Sequence, residues 1–558
     1  MSTSRVSSQD VVSLVGDSTP RTHDQPTEDP ELSETTVAPT DVFATKDGKA
    51  NVDFKTLTWP QAAIIVAKIQ MGIGIIGIPG TFATLGFVPG LISLIVLSII
   101  CTYTGVLCGQ VRLLHPEVHS PAELGAILFA RSKTLVELFS FVYWIFLVMV
   151  SGSAFLTSSV ALNAVSTHAI CTLAWVGIVA GIALIIGGAF RQLAKVAWLG
   201  WVGVASVLLS IWILVIAMLT KHYPLAELGQ TGAVERLAAN SKASFADSIT
   251  AVVTQLFALL GSVMFYSVAA EMKEPRHFSK AVFWGQGFVV GNYIVIGIIV
   301  YAKAGQYLES PALGSAGLLF KKICYGISLP AVLVSSIVFT HIATKFMFVR
   351  LLRGTRHINN STPIHWLAWL GSYLIVVALA FVLASAIPIF DQLLSLIGST
   401  AGSFFTLIIG ACTSLYILAF KVPTAAQREQ QRSAASAAGG SMSSPSKSGS
   451  LDSPKDSDGE MTKGQAQNLK SDIGVGSLQE EDDALSPNWP KRSYQVAFVH
   501  SGRTWKRQLH FAFAIFMGLV GAFFLVGATY GTIVSIIDAY SSGTVAEAFS
   551  CADNSNSS

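Results

Sequence analysis

Eleven stretches of mostly apolar residues, each long enough to cross a bilayer, constrain this chain more than any other feature. A helix needs about 20 such residues to span roughly 30 Å of hydrocarbon. Backbone surrounded by lipid must also satisfy its own hydrogen bonds, which favours helices over open sheet. The stretches are Trp59–Leu85, Val88–Leu107, Leu135–Leu162, Leu173–Phe190, Val196–Leu219, Ile249–Ala270, Val282–Tyr301, Leu329–Phe348, Ile364–Ile387, Leu393–Phe420 and Leu509–Ile537. Only a turn near Gly86 separates the first two, so they are expected to be antiparallel neighbours. The chain therefore reads as an all-α polytopic membrane protein.

Charge placement supports this reading and divides the chain. Residues 1–54 hold 14 charged side chains and residues 421–507 hold 22. The other 417 residues share 33, roughly 8% against about 25% in soluble proteins. The sequence predicts a disordered cytoplasmic tail over 1–54, a membrane core of ten spans over 55–420 and a low-complexity cytoplasmic insert over 421–507. The eleventh span is expected over 508–540, with an extracellular tail over 541–558. No apolar stretch near the start ends at a small-residue cleavage site, so the first span is expected to direct insertion itself.

Lys and Arg collect in alternate loops: Arg112, Arg131 and Lys133; Arg191 and Lys195; Lys273, Arg276 and Lys280; Arg350, Arg353 and Arg356, together with the insert. The loops after the first, third and ninth spans hold none. By the positive-inside rule the N-terminus is inside, and an odd span count puts the C-terminus outside. Cys101, Cys108 and Cys412 fall within spans. Cys171, Cys324 and Cys551 fall on the expected outer face, where three thiols permit one bridge and one leftover.

Several classes of function lack support. No basic stripe with interleaved aromatics suggests nucleic acid. No P-loop, HExxH or nucleophile elbow appears in the solvated parts, and no CxxC pairs suggest a metal. An enzyme, a cofactor and a bound metal are therefore not expected.

Chemistry concentrates where the backbone should break. Gly72, Gly74, Gly77 and Pro79 fall within the first span, in Lys68-Ile-Gln-Met-Gly-Ile-Gly-Ile-Ile-Gly-Ile-Pro-Gly80. Broken backbone at membrane depth is tolerated only in protein or beside a cavity, where its freed N–H and C=O groups become ligands. Close helix packing is the alternative use for such glycines. Gly261 and Ser262 interrupt the sixth span five spans later, the offset expected of an inverted-repeat transporter. Lys68, about one turn before the first break, is expensive in lipid and is an ion-coupling candidate, unless it snorkels to the inner surface. His341 in the eighth span is a second candidate, with packing as its other explanation. Glu271, near Lys273 and Arg276, is a gate candidate or a solvated helix-end charge. Tyr143 and Trp144 of the third span either line the pocket or pack.

The segments KIQMGIGIIGIPGTFATLGFVPG, AAEMKEPRHFSKA, SPALGSAGLLFKKICYGISLP and LLSLIGSTAGSFF, in this order and spacing, resemble the amino acid/auxin permease family. Within that family the likeness is to fungal neutral amino acid permeases of the methyltryptophan-resistance type, over roughly 55–420 and 505–552. The resemblance implies eleven transmembrane helices in a leucine-transporter-type fold, a 5+5 inverted repeat plus one extra helix. It carries substrate binding to Gln70, Met71, Gly72, Ile73, Gly74 and Gly77, and to Phe257, Leu260, Gly261 and Ser262. The Gly72–Gly77 backbone would meet a carboxylate, and carbonyls near Gln70–Gly72 and Leu259–Gly261 an ammonium. Proton-coupled relatives often have Lys at the position of Lys68. The fungal likeness favours a Cys171–Cys551 disulfide, while animal relatives suggest Cys171–Cys324. No charged residue lies in the candidate core, so neutral amino acids are the expected substrates. Protons are the expected coupling ion, and lipid of the plasma membrane the expected surroundings. A vacuolar exporter and a transport-inactive amino acid sensor are the alternatives.

Overall fold

The computed structural model describes residues 57–555 except 117, 130–132, 190–198, 226–229, 231, 353–354, 356–361, 421–488, 500–504 and 543–546. The 1–54 tail, most of the 421–507 insert, and Arg131, Arg191, Lys195, Arg353 and Arg356 lie outside the described residues.

The described residues of each of the eleven apolar stretches fall largely on helix. Among the described residues nine helices are long and apolar enough to cross a membrane alone: Phe87–Leu114, Thr134–Ser166, Trp201–Thr220, Phe245–Ala270, Pro275–Tyr307, Leu318–Leu352, Pro363–Ala386, Phe390–Ala419 and Trp505–Ser541. Another is a pair, Trp59–Gln70 and Gly74–Leu85, bent by 54°. The fourth in chain order, Thr172–Gly187, is shorter. The chain is a multi-pass, all-helical membrane protein, and its spans are numbered here in chain order. Among the described residues the only extended pairing is an isolated bridge between Leu57 and Met272.

Local sequence explains where several helices start. Thr58 and Gln61 form a reciprocal cap on the first span, where Pro60 occupies a position that needs no N–H. Ser244 starts the sixth span by accepting from the Asp247 N–H at 3.0 Å, and Thr362 accepts from His365 to start the ninth. Two short elements were not anticipated. Pro121–Leu128, capped by Ser120 and Glu123, lies between the second and third spans. Trp489–Tyr494, near the end of the expected insert, docks through Trp489 Nε1, which donates to the Leu128 carbonyl at 2.8 Å.

Packing brings the two interrupted spans together. Trp59–Gln70 of the first span lies along the seventh, and Gly74–Leu85 lies along Phe245–Ala258 of the sixth. The eighth span packs on the third and fifth, and Phe390–Ile397 of the tenth packs on the sixth. Buried hydroxyls in the third span are satisfied within their own helix: Ser151, Thr157 and Ser158 donate to carbonyls four residues back. Large apolar side chains such as Ile92, Ile99, Leu367 and Val526 point outward and are exposed, the face a lipid solvent requires.

The expected outer ends are fastened together. Cys171 and Cys551 form a disulfide, while Cys324 is a buried free thiol. Beside the bridge, Thr172 donates to the Ala552 carbonyl at 2.6 Å, and Asn554 bonds both Asn163 and Ser159. At the opposite end the Leu57 N–H donates to the Glu271 carbonyl at 3.1 Å, and the Lys273 N–H to the Leu57 carbonyl at 2.9 Å.

Candidate functional site

The first span breaks at Met71–Ile73. Its first half ends at Gln70, the Met71 N–H closes the last turn on the Ala67 carbonyl, and helix resumes at Gly74. The sixth span breaks differently. Phe245–Ala258 is followed by tight turns at Leu259–Gly261, a 3₁₀ turn over Ser262–Met264 and then Phe265–Ala270. This interruption tightens the helix without bending it as sharply as the first span.

The two breaks touch. A Cβ placed on Gly74 would lie 2.7 Å from Ala258 Cα and 2.9 Å from its Cβ, so only glycine lets these backbones meet. Beside the contact is a cavity of about 40 Å³, lined by Ile69, Gln70, Ile73, Gly74, Phe146, Val150, Phe257, Ala258, Leu260, Met264 and Phe339. At 10–15 Å³ for each water, that is room for about three. No lining side chain is charged, and Gln70 supplies the one side-chain amide.

The polar groups at the cavity converge on its helix ends. Tyr293 of the seventh span, fully buried, sets its hydroxyl 2.8 Å from the Gln70 carbonyl and 3.1 Å from the Ala258 carbonyl. One hydroxyl is thus set against the C-terminal ends of the two half-helices that lead into the breaks, Trp59–Gln70 and Phe245–Ala258, where the helix dipoles are negative. Gln70 Nε2 donates to Gln286 Oε1 at 2.7 Å, and Gln70 Oε1 is a buried acceptor without a partner. The site therefore offers three oxygens to a cation and the N–H groups at the Gly74 restart to an anion.

Tyr293→Phe removes the shared donor and leaves two buried carbonyls wanting one. An orphaned buried polar group costs about 1–3 kcal/mol, so substrate uptake at subsaturating concentration should fall about tenfold, at 1.36 kcal/mol per decade. Radiolabelled uptake normalised to membrane expression checks this; an unchanged rate would show the hydroxyl is only packing.

Of the residues expected to bind substrate, Gln70, Ile73, Gly74, Phe257 and Leu260 line the cavity. Met71, Gly72, Gly77, Gly261 and Ser262 do not. Gly261 backs onto Gln70, where a Cβ would lie 2.8 Å from Gln70 Cγ. Ser262 turns to Thr406 of the tenth span at 3.1 Å. Gly77 lies under Phe390 and Leu394, and Gly72 faces Ser335.

Lys68 sits half-buried in the last turn of Trp59–Gln70, where a cation suits the dipole, and does not line the cavity. His341 stands edge-on to Trp369 and Tyr373, with centroids 5.3 and 6.5 Å away. Two residues of helix are about 200° of rotation, so His341 faces away from Phe339 and the cavity. Glu271 has no ion pair with Lys273 or Arg276 among the described residues. Partial burial raises its carboxyl above the ordinary value, and Lys345 of the eighth span pulls it back. Its backbone carbonyl, not its carboxylate, bonds the Leu57 N–H.

The third span contributes Phe146 and Val150 instead of Tyr143 and Trp144; Tyr143 packs against Phe346 and Phe405. Tyr293 had a faint signal in the sequence, since a phenol deep in a span must find a partner.

Residues 55–435 match the family described as transmembrane amino acid transporter protein. A transmembrane transporter of Gibberella moniliformis is 32% identical over 380 residues, covering 68% of this chain and 79% of the relative. The N amino acid transport system protein of Neurospora crassa is 30% identical over 354 residues, 62% of this chain and 74% of that one. Among solved structures, the Eremococcus coleocola manganese transporter superposes with a TM-score of 0.43 at 12% identity, over 86% of this chain and 94% of that one. A nucleobase-cation-symport-1 family transporter in a closed conformation gives 0.44 at 9% identity, over 82% and 97%.

Proposed function

The chain belongs to the transmembrane amino acid transporter family, and on that premise we propose that it is a symporter carrying neutral amino acids with protons into the cytosol. Transport of amino acids, not a covalent reaction, is the activity of that family. The observation that carries the finer reading is the lining of the central cavity, which pairs the ends of two broken helices with apolar walls and no charged side chain. A substrate's ammonium suits the Gln70 and Ala258 carbonyls and Gln70 Oε1. Its carboxylate suits the N–H groups where helix restarts at Gly74. A charged substrate side chain would be left without a counter-charge among Phe146, Phe257 and Phe339, at a cost that excludes it.

Alternating access follows from the same parts. The Leu57–Met272 bridge shuts the inner end, and Phe390 and Leu394 cover Gly77 on the outer side. Release inward needs the bridge to part and the inner halves of the first and sixth spans to move from each other. Lys68, in that inner half, is the proposed site where protonation is felt. The disulfide between Cys171 and Cys551 supports placing that face on the oxidising, non-cytosolic side, and the plasma membrane is the proposed location.

The test uses purified protein in liposomes with radiolabelled L-alanine and L-leucine, with and without an inward proton gradient. Uptake driven by the gradient is expected. Saturable binding without uptake would mark a sensor, uptake requiring sodium would overturn proton coupling, and preference for L-lysine or L-glutamate would overturn neutral selectivity.

A further inference from the structure

A second cavity, larger than the central one, lies one level further out. It measures about 330 Å³, the lower end of the range for small-molecule pockets. Its walls come from the outer half of the first span, the start of the sixth, the start of the tenth and the eleventh. Gly77 separates it from the central site: Gly74 lines the inner cavity and Gly80 the outer. At the level between, a Cβ on Gly77 would lie 3.3 Å from Phe390 and 3.4 Å from Leu394. Nearly two turns of helix, from Gly74 to Gly80, and two apolar side chains divide the two chambers.

The outer chamber is chemically unlike the inner one. Asp391 lines it, accepting from Ser310 Oγ at 2.6 Å through Oδ1. Among the described residues no Lys, Arg or His pairs with this carboxylate. Thr250 also lines the chamber and is only 6% exposed, yet its hydroxyl has no hydrogen-bond partner. Gln392 leaves its Oε1 buried and unpartnered beside it. A buried hydroxyl and amide left open at a cavity wall cost free energy unless something occupies them. Lys242 stands at the same wall near the rim, 4.0 Å from Glu235.

We propose that this chamber is a second binding site, which holds the zwitterionic head of an arriving amino acid before it passes Gly77. Asp391 takes the ammonium, with Gln392 Oε1 and the Thr250 hydroxyl as further oxygens, and Lys242 lies on the side open to the carboxylate. The proposal rests on the reading of the chain as a neutral amino acid transporter. It adds a site that the two helix breaks do not form. The substrate side chain is left facing the wide part of the chamber, so the outer site selects for the zwitterion and the inner cavity for size.

Full-length protein in detergent, in choline buffer, is titrated with tritiated L-alanine. Two molecules bound per chain are expected for the unmodified protein. Asp391→Asn is expected to bind one, with at least a thirtyfold loss at the outer site and an unchanged melting temperature. Thr250→Val is expected to weaken the same site alone. Gly74→Leu, which blocks the inner site, should retain one molecule that Asp391→Asn then removes. N-acetylalanine, which lacks the ammonium, should fail to compete for it. A stoichiometry of one in the unmodified protein, or of two in Asp391→Asn, overturns the proposal while leaving the function reading intact. Recovery of the second molecule only on adding sodium would show an inorganic cation site and overturns it as well. No binding of alanine to any variant overturns the function reading itself, and the outer site falls with it.

Discussion

Gly74→Ala should reduce amino acid uptake by at least about a hundredfold without removing the protein from the membrane. The added methyl would meet Ala258 backbone at 2.7 Å. Backbone cannot rotate away as a flexible side chain can, so the first and sixth spans must separate where their breaks touch. A hundredfold is about 2.7 kcal/mol at 1.36 kcal/mol per decade, within the 1–3 kcal/mol typical of overpacking. Separation also draws the Ala258 and Gln70 carbonyls away from their shared Tyr293 hydroxyl. Gly72→Ala is the internal control. A Cβ there meets only Ser335 Oγ, at an ordinary 3.6 Å, so uptake should stay within about twofold, the spread of surface-like substitutions. Initial uptake rates, normalised to surface expression, decide the matter. Equal losses in the two variants would mean that the break needs flexibility and not contact.

Phe257→Ala should shift selectivity towards larger substrates. The central cavity holds about 40 Å³ as it stands, and Phe257 is one of three rings that bound it. Removing the ring opens room for a substrate side chain while taking apolar contact from a small one. Each methylene is worth about 1–3 kcal/mol in a fitted pocket, so the ratio of kcat/KM for L-phenylalanine over L-alanine should rise by about a hundredfold or more. Truncating a buried Phe costs about 3–5 kcal/mol of stability, so only the ratio is diagnostic. A ratio that stays fixed while both rates fall would place the substrate elsewhere.

How much of this was readable from residues alone depends on where the partner of each residue lies. The spans were readable because apolar length is a local property, and Trp59–Leu85 betrayed its break by its glycines. Which glycine matters was not readable. Gly72, Gly74 and Gly77 look alike in sequence, yet one faces a serine, one touches the sixth span and one sits under the tenth. Tyr293 was missed because the carbonyl it holds is 223 residues away. Phe146 and Phe339 were hidden among other aromatic residues whose helical phase only tertiary packing fixes. His341 stood out for its chemistry, but its helix turns it away from the cavity.

The inner seal has an implication for how freely this region can vary. Leu57 is held to the Glu271 carbonyl and the Lys273 N–H through main-chain atoms, so the hydrogen bonds themselves do not depend on side-chain identity, while the buried Met272 side chain restricts that position to an apolar residue. Proline is the exception: at 57 or at 273 it deletes one of the two N–H donors outright. Two net hydrogen bonds amount to about 1–3 kcal/mol, a latch weak enough for thermal motion to lift many times a second.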